Sequence, residues 1–157
     1  MKISSICFFI KGNKIYLSNK KRGFGQGFLN GYGGKKKPDE TLEMSILREL
    51  YDESGINVLF ENMDKVAFID FYEGDTHIFQ CHVFFINKWQ GDFKETEEMA
   101  YPELYDRDSL PFDKMWKSYR EWLPLVCSGL RIRAKAYYNK GMDEVVSFEY
   151  ESLKSGE

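Results

Sequence analysis

Residues 34–56 read GKKKPDETLEMSILRELYDESGI. Glu49, Asp52 and Glu53 fall at i, i+3 and i+4, so on a helix they share one face. Like charges at that spacing each cost an isolated helix about 0.2–0.5 kcal/mol. A compact cluster of hard carboxylate oxygens is what Mg²⁺ or Mn²⁺ requires. Solvated acidic helix faces are common, however, so the spacing alone leaves both readings open. Leu42, Ile46, Leu47 and Leu50 form an apolar stripe that predicts a helix near residues 41–53. Asp39 or Thr41 is the expected N-cap, and Gly55 the stop.

Outward from this segment, Ile3 to Ile10 is an apolar run expected to form a strand, with a turn at 11–14 and Ile15 to Leu17 as its hairpin partner. Asn19 to Asp39 is rich in Gly and Lys and has no period; a loop of that length in a compact domain is often functional. Asp64 to Tyr72 and Ile78 to Asn87 flank a turn and predict a long hairpin. Tyr101 to Tyr105 reads as a short strand. Ser118 to Ser128 predicts a helix kinked or divided at Pro124. Arg131 to Tyr138 and Val145 to Tyr150, around Asn139-Lys140-Gly141-Met142, predict a last hairpin. Mixed strands with two helices give an α/β/α sandwich with a mixed central sheet.

The 157 residues are expected to form a single domain, 1–157, able to bury about two thirds of the unfolded surface. A net charge of −3 disfavours a nucleic acid polymer as partner, since a polyanion selects a basic face. A nucleotide is compatible with it, because a metal can neutralise the phosphates. The aromatic fraction of 17% is high; part of it must be core, and other rings are candidates to stack on a flat ligand. No apolar run approaches the ~18 residues of a membrane helix, and no signal peptide pattern opens the chain. Cys7, Cys81 and Cys127 have no CxxC spacing and read as reduced, mostly buried thiols of a cytoplasmic protein. His77 and His82 are too few and scattered for a zinc site and read as structural.

Gly34, Glu40, Arg48, Glu49, Leu50, Glu53, Gly55 and Ile56 match the Nudix box, G-x5-E-x7-R-E-U-x-E-E-x-G-U, with U aliphatic. The segment therefore resembles the Nudix hydrolase superfamily, with one departure: Asp52 stands for the first Glu of the EE pair. That keeps the charge and shortens the reach by one methylene. KKRGFGQGFLNGYGGK, FENMDKVAFIDF, HVFF, ETEEM and LPFDKMWKSYREWLP extend the similarity over nearly the whole chain, toward the MutT-like oxidised purine nucleoside triphosphatases (8-oxo-dGTP diphosphatases).

The resemblance implies the Nudix fold and a Mg²⁺ shell (Mn²⁺ an alternative) from Glu49, Asp52, Glu53 and Glu98 with the Gly33 carbonyl. Glu53 or Glu98 would activate water, and Arg48 would hold a carboxylate in fixed geometry. A surface pair of Arg48 with Asp52 is the plainer alternative. Lys20, Lys35 or Arg22 would contact phosphates. The purine pocket would be lined by Phe24, Asn30, Phe71, Trp116 and Trp122, with Ser5 and Lys20 nearby. Read without the family, Phe71 and Trp122 are core residues and Asn30 a turn residue. The mammalian enzymes carry two adjacent aspartates where Ser118 and Tyr119 stand here, and neither residue supplies an anion. Glu121 and Asp113 lie close in sequence as possible substitutes. The expected activity is Mg²⁺-dependent cleavage of a purine dNTP, oxidised or modified, to dNMP and pyrophosphate by a monomer that sanitises nucleotide pools. A dinucleoside polyphosphate, nucleotide sugar or capped RNA is the alternative substrate, and a non-hydrolysing nucleotide sensor the alternative class.

Overall fold

The computed structural model describes residues 2–23 and 25–153. Its centre is the strand Ile3–Lys11 (β1), whose run Ile6 to Ile10 is buried throughout. An unbroken apolar run means both faces are covered, and alternation sends successive side chains to opposite sides. Ile6, Phe8 and Ile10 enter one core, while Cys7 and Phe9 enter the other.

Lys14–Asn19 (β2) folds back on β1 with Ile10 opposite Ile15, as the hairpin reading expects. Between Asn19 and Asp39, where no regular structure is expected, the chain forms Leu29–Asn30 (β3) and Tyr32–Lys35 (β4). β3 extends the edge of β2, and β4 lies antiparallel along the first half of β1. The glycines permit this: a side-chain carbon on Gly33 would lie 2.0 Å from the Ser5 carbonyl oxygen. A period-based reading does not register strands this short.

The helix Leu42–Ser54 (α1) starts where Thr41 Oγ1 accepts the Met44 N–H, and ends where the Gly55 N–H donates to Tyr51 O. Thr41 is thus the cap, not Asp39. Ile46 and Leu50 are the apolar anchors of α1 and pack with Cys7, Phe9, Tyr32 and Ile86. The long hairpin Met63–Glu73 (β5) and Thr76–Ile86 (β6) sets β6 parallel to β1. Glu103–Asp106 (β7) pairs with β2. Ile132–Tyr138 (β8) runs parallel to β5 and antiparallel to Val145–Ser152 (β9). The result is one mixed sheet of order β3-β2-β1-β6-β5-β8-β9, with β4 and β7 on β1 and β2.

Tyr119–Cys127 (α2) covers the face opposite α1 through Tyr119, Trp122, Leu123 and Val126. Pro124 does not divide it. The missing N–H removes one bond from a short helix, and burial of Trp122 and Leu123 in the core holds the segment together. With a helix on each face, the architecture is the expected α/β/α sandwich. Cys7 and Cys81 are buried free thiols, and Cys127 is half-buried and free.

Leu50 is 1% exposed and Met44 on the same helix 55%. Leu50→Ala is expected to cost about 2–5 kcal/mol in urea unfolding. Met44→Ala should stay within about 0.5 kcal/mol.

Candidate active site

Glu53 is 4% exposed although it belongs to the acidic face of α1. It lies seven residues from Ile46 and three from Leu50, so the turn that buries those anchors also turns Glu53 toward the sheet. Its Oε1 accepts the Gly33 N–H at 3.0 Å, which ties α1 to β4. Burial pushes its pKa up to about 8; the Gly33 N–H and the Lys20 charge oppose this, and the Glu49 carboxylate adds to it. Gly34 brings the other carboxylate close: a side-chain carbon there would meet the Glu49 carboxyl carbon at 2.8 Å.

Arg48 organises the outer side. Its guanidinium forks onto Glu40 at 2.7 and 3.1 Å and reaches Glu49 Oε1 at 2.7 Å. Asp52, at 4.0 Å, is the loosest of its neighbours. The simple surface pair with Asp52 is therefore the minor contact. Glu40 also accepts the Lys37 N–H at 2.8 Å, and with the Arg48 fork first and that bond second its pKa falls to about 2. Glu40 matches the box, yet sequence reading assigned it no work; it is the anchor that fixes Arg48, and through it Glu49.

The opposite wall is the segment 94–99. The Lys94 N–H bonds Ser54 O, and Thr96 Oγ1 donates to Glu53 O, so this segment is stitched to the end of α1. It carries Glu98, which pairs with Arg22 at 2.9 Å and Lys20 at 3.6 Å. The Arg22 hydrogen bond chiefly lowers the Glu98 pKa, against burial and with help from Lys20. Arg22 also holds Glu97 at 3.0 Å. Between these walls opens a cavity of about 940 Å³ lined by Lys20, Arg22, Lys35, Glu49, Glu53 and Glu98 among others. All five metal-shell candidates, Gly33, Glu49, Asp52, Glu53 and Glu98, line it.

The donor set suits a divalent ion. The Glu49 carboxylate helps to raise the Glu53 pKa, as a like charge held close does, and a hard cation between the two would relieve that repulsion. Among the described residues no three acidic side chains converge on one point as they stand. Glu98 is turned onto Arg22, and the Asp52 side chain is 59% exposed. Both must turn inward to complete a shell with Glu49 and Glu53.

The remaining candidates lie around α2. Asn30, at the end of β3, accepts from the Gly31 N–H at 2.8 Å and from the Tyr119 hydroxyl. Phe28, which sequence reading missed, packs on Trp116 with ring centroids 4.9 Å apart. Ser118 is buried; its N–H donates to Tyr138 Oη and its Oγ accepts from Trp122 Nε1. Tyr138 is a second residue that no motif had marked. Trp122 is 1% exposed and sits at the core between Phe8 and Tyr119. Phe71 is buried and stacked on Phe79 at 4.6 Å. Both occupy the core positions that the family-independent reading gives them. Ser5 is buried, and alternation along β1 puts it on the face of Cys7 and Phe9, across the sheet from Tyr119. Phe24 lies outside the described residues. Glu121 and Asp113 are exposed.

The chain belongs to the Nudix family: the NUDIX domain matches residues 2–126. Among relatives, an oxidized purine nucleoside triphosphate hydrolase of Danio rerio is 32% identical over 155 residues, 98% of this chain and 96% of the relative. The protein of that description from Mus musculus is 34% identical over 126 residues, 80% of this chain and 79% of its own. In solved structures, a MutT protein of Bacillus halodurans superposes with a TM-score of 0.76 at 18% identity, covering 96% and 98% of the two chains. A MutT Nudix hydrolase of Burkholderia pseudomallei gives 0.65 at 20% identity, over 78% and 95%. Nudix hydrolases generally use divalent metal ions. No described helix is long and apolar enough to cross a membrane.

Glu53 gives a pH test. Unfolded, it loses its proton near the ordinary glutamate value of about 4.5; folded, it keeps the proton to about 8. Unfolding between those values releases a proton, so rising pH weakens the metal-free fold across that window. Glu53→Gln keeps the acceptor for Gly33 and removes the titration. In EDTA, wild type is expected to lose about 1–3 kcal/mol more than the variant between pH 5 and pH 8, read from urea unfolding.

Proposed function

We propose that this chain, acting as one catalytic domain over residues 1–157, hydrolyses purine nucleoside triphosphates, oxidised or otherwise modified, to nucleoside monophosphate and pyrophosphate. Its place is nucleotide-pool sanitation, which limits DNA damage from misincorporated bases. The observation that carries this is a buried acid, Glu53, held on the Gly33 N–H beside Glu49 at one wall of a cavity whose other walls bring in Lys20, Arg22 and Lys35. The names of the curated relatives support the same activity.

Lys20, Lys35 and Arg22 are placed to hold the phosphate tail, and Arg22 leaves Glu98 when it does so. Glu49, Asp52, Glu53 and Glu98, with the Gly33 carbonyl, would hold Mg²⁺, or Mn²⁺ in its place, which supplies charge neutralisation at the phosphate oxygens. A water oxygen forms a bond to phosphorus, the bond from that phosphorus to the bridging oxygen breaks, and the bridging oxygen leaves with the electron pair, separating nucleoside monophosphate from pyrophosphate. Glu53 takes the water proton: it is fixed at the cavity wall by the Gly33 N–H, whereas Glu98 is engaged by Arg22. Arg48 works by position, fixing Glu49 from its Glu40 anchor.

The free thiols support a reducing, cytoplasmic setting.

Purified protein with Mg²⁺ is expected to convert purine dNTPs to dNMP and pyrophosphate, and EDTA to stop it. Glu53→Gln should lower kcat by about 10²–10⁴-fold. Product analysis in ¹⁸O-labelled water locates the attacked phosphorus. A broad nucleotide panel left untouched by the wild-type protein would overturn the proposal.

A further inference from the structure

Alternation along β5 and β8 sends Ile69, Phe71, Ala134 and Ala136 into the core beneath α2, and Phe68, Asp70, Arg133 and Lys135 to the opposite face. There Phe68 stands between His82 on β6 and Arg133 on β8, its partners in register. Lys65, three residues before Phe68, would point the other way along a regular strand. The β5–β6 pairing slips by one residue between Lys65 and Ala67, and this bulge brings Lys65 onto the Phe68 face, opposite Phe84. Its ammonium lies 5.3 Å from the Phe68 ring centre, and the Arg133 guanidinium lies 5.4 Å from the same ring.

Lys65 Nζ is 2.7 Å from His82 Nδ1, and the chain of hydrogen bonds beyond fixes the tautomer. The Asp70 carboxylate only accepts, so the Gln80 atom 3.4 Å from it is the amide nitrogen. Gln80 Oε1 then accepts from His82 Nε2 at 3.2 Å, and His82 Nδ1 presents a lone pair to the lysine. His77 Nε2 holds Asp70 at 2.8 Å. Burial, helped by the Lys65 charge and opposed by Asp70, lowers the His82 pKa to about 4, so the imidazole is neutral. Burial first and the Arg133 charge second lower the Lys65 pKa, which raises its share of free amine. An amine within hydrogen-bond reach of a neutral imidazole, itself oriented by a third group, has the geometry of an activated nucleophile. Lys65 is exposed to an incoming reagent, and it lies outside the cavity of the active site. Arg131 is engaged by Asp64 at 2.6 Å, whereas Arg133 forms no ion pair among the described residues, although Glu151 stands opposite it on β9.

We propose that Lys65 is a modification site: a nucleophilic amine that His82 relieves of its proton and to which Arg133 draws anionic acyl donors, the acyl phosphates. This is independent of the nucleotide reading of the cavity. The N–H donated to His82 Nδ1 leaves the nitrogen lone pair of the free amine turned outward. That pair attacks the carbonyl carbon and forms the C–N bond; the bond from that carbon to the phosphate oxygen breaks, and phosphate leaves with the electron pair. The surplus proton on nitrogen passes to His82 Nδ1 and then to water. The product is an amide, which removes one of the two positive charges beside Phe68.

The test is a time course of the whole purified chain with acetyl phosphate at about pH 7, with acetylation of each lysine read by peptide mass spectrometry. Lys65 is expected to react at least about tenfold faster than the exposed Lys11 and Lys88. His82→Asn keeps an acceptor but no base, and should bring Lys65 down to the rate of those two. Arg133→Gln, at an exposed position, should slow the reaction with acetyl phosphate more than that with a neutral N-hydroxysuccinimide ester. Equal rates at Lys65, Lys11 and Lys88 in the wild type would overturn the proposal. So would a folded His82→Asn that modifies Lys65 at the wild-type rate, or an Arg133→Gln that slows both reagents alike. If His82→Asn does not fold, the wild-type comparison and Arg133→Gln decide.

Discussion

The hydrogen bond from the Gly33 N–H to Glu53 Oε1 joins the two elements that make the cavity. A carboxylate at 4% exposure is normally avoided, because desolvation penalises its charge. Here α1 cannot turn it outward without lifting Ile46 and Leu50 off the sheet. β4 cannot withdraw from it without breaking its ladder with β1. The fold thus holds an acid in a place where it keeps its proton until a stronger positive charge arrives. The rest of the site answers to that constraint. Arg48, anchored on Glu40, turns Glu49 toward Glu53, and the segment 94–99 closes the opposite side through Thr96 and Lys94.

The two ends of the site differ in how they are built. The cavity end is rich in charge and tied together by ion pairs of Lys20 and Arg22 with Glu97 and Glu98. The end around Asn30 is nearly neutral, and its polar atoms satisfy one another: Ser118 with Tyr138 and Trp122, Asn30 with Gly31 and Tyr119. In such a network each neutral group fixes the orientation of the next.

Much of the frame was legible in the residues. The run ICFFI announced a strand buried on both faces, and the stripe Leu42, Ile46, Leu50 announced the helix that covers one of them. The box motif located Glu49, Asp52 and Glu53 before any coordinates. The residues could not say which of the three was buried, because 3.6-residue periodicity puts Glu53 at the border between the apolar and acidic faces. Nor could they disclose β3 and β4, whose pairing rests on backbone approach at glycine and not on side-chain pattern. The Tyr119–Asn30 bond joins residues 89 apart in sequence, and no local signal marks it. Pro124 illustrates the reverse error: local propensity called for a break, and tertiary burial of Trp122 and Leu123 prevailed.

The central claim is that Glu49 and Glu53 form the oxygen cradle for a hard cation. The most direct measurement is anomalous diffraction from crystals grown with Mn²⁺ and a non-hydrolysable purine triphosphate. The account predicts a manganese peak about 2.0–2.3 Å from carboxylate oxygens of both residues, with phosphate oxygens completing its shell. A peak bound elsewhere, or none while the nucleotide occupies the cavity, would contradict it.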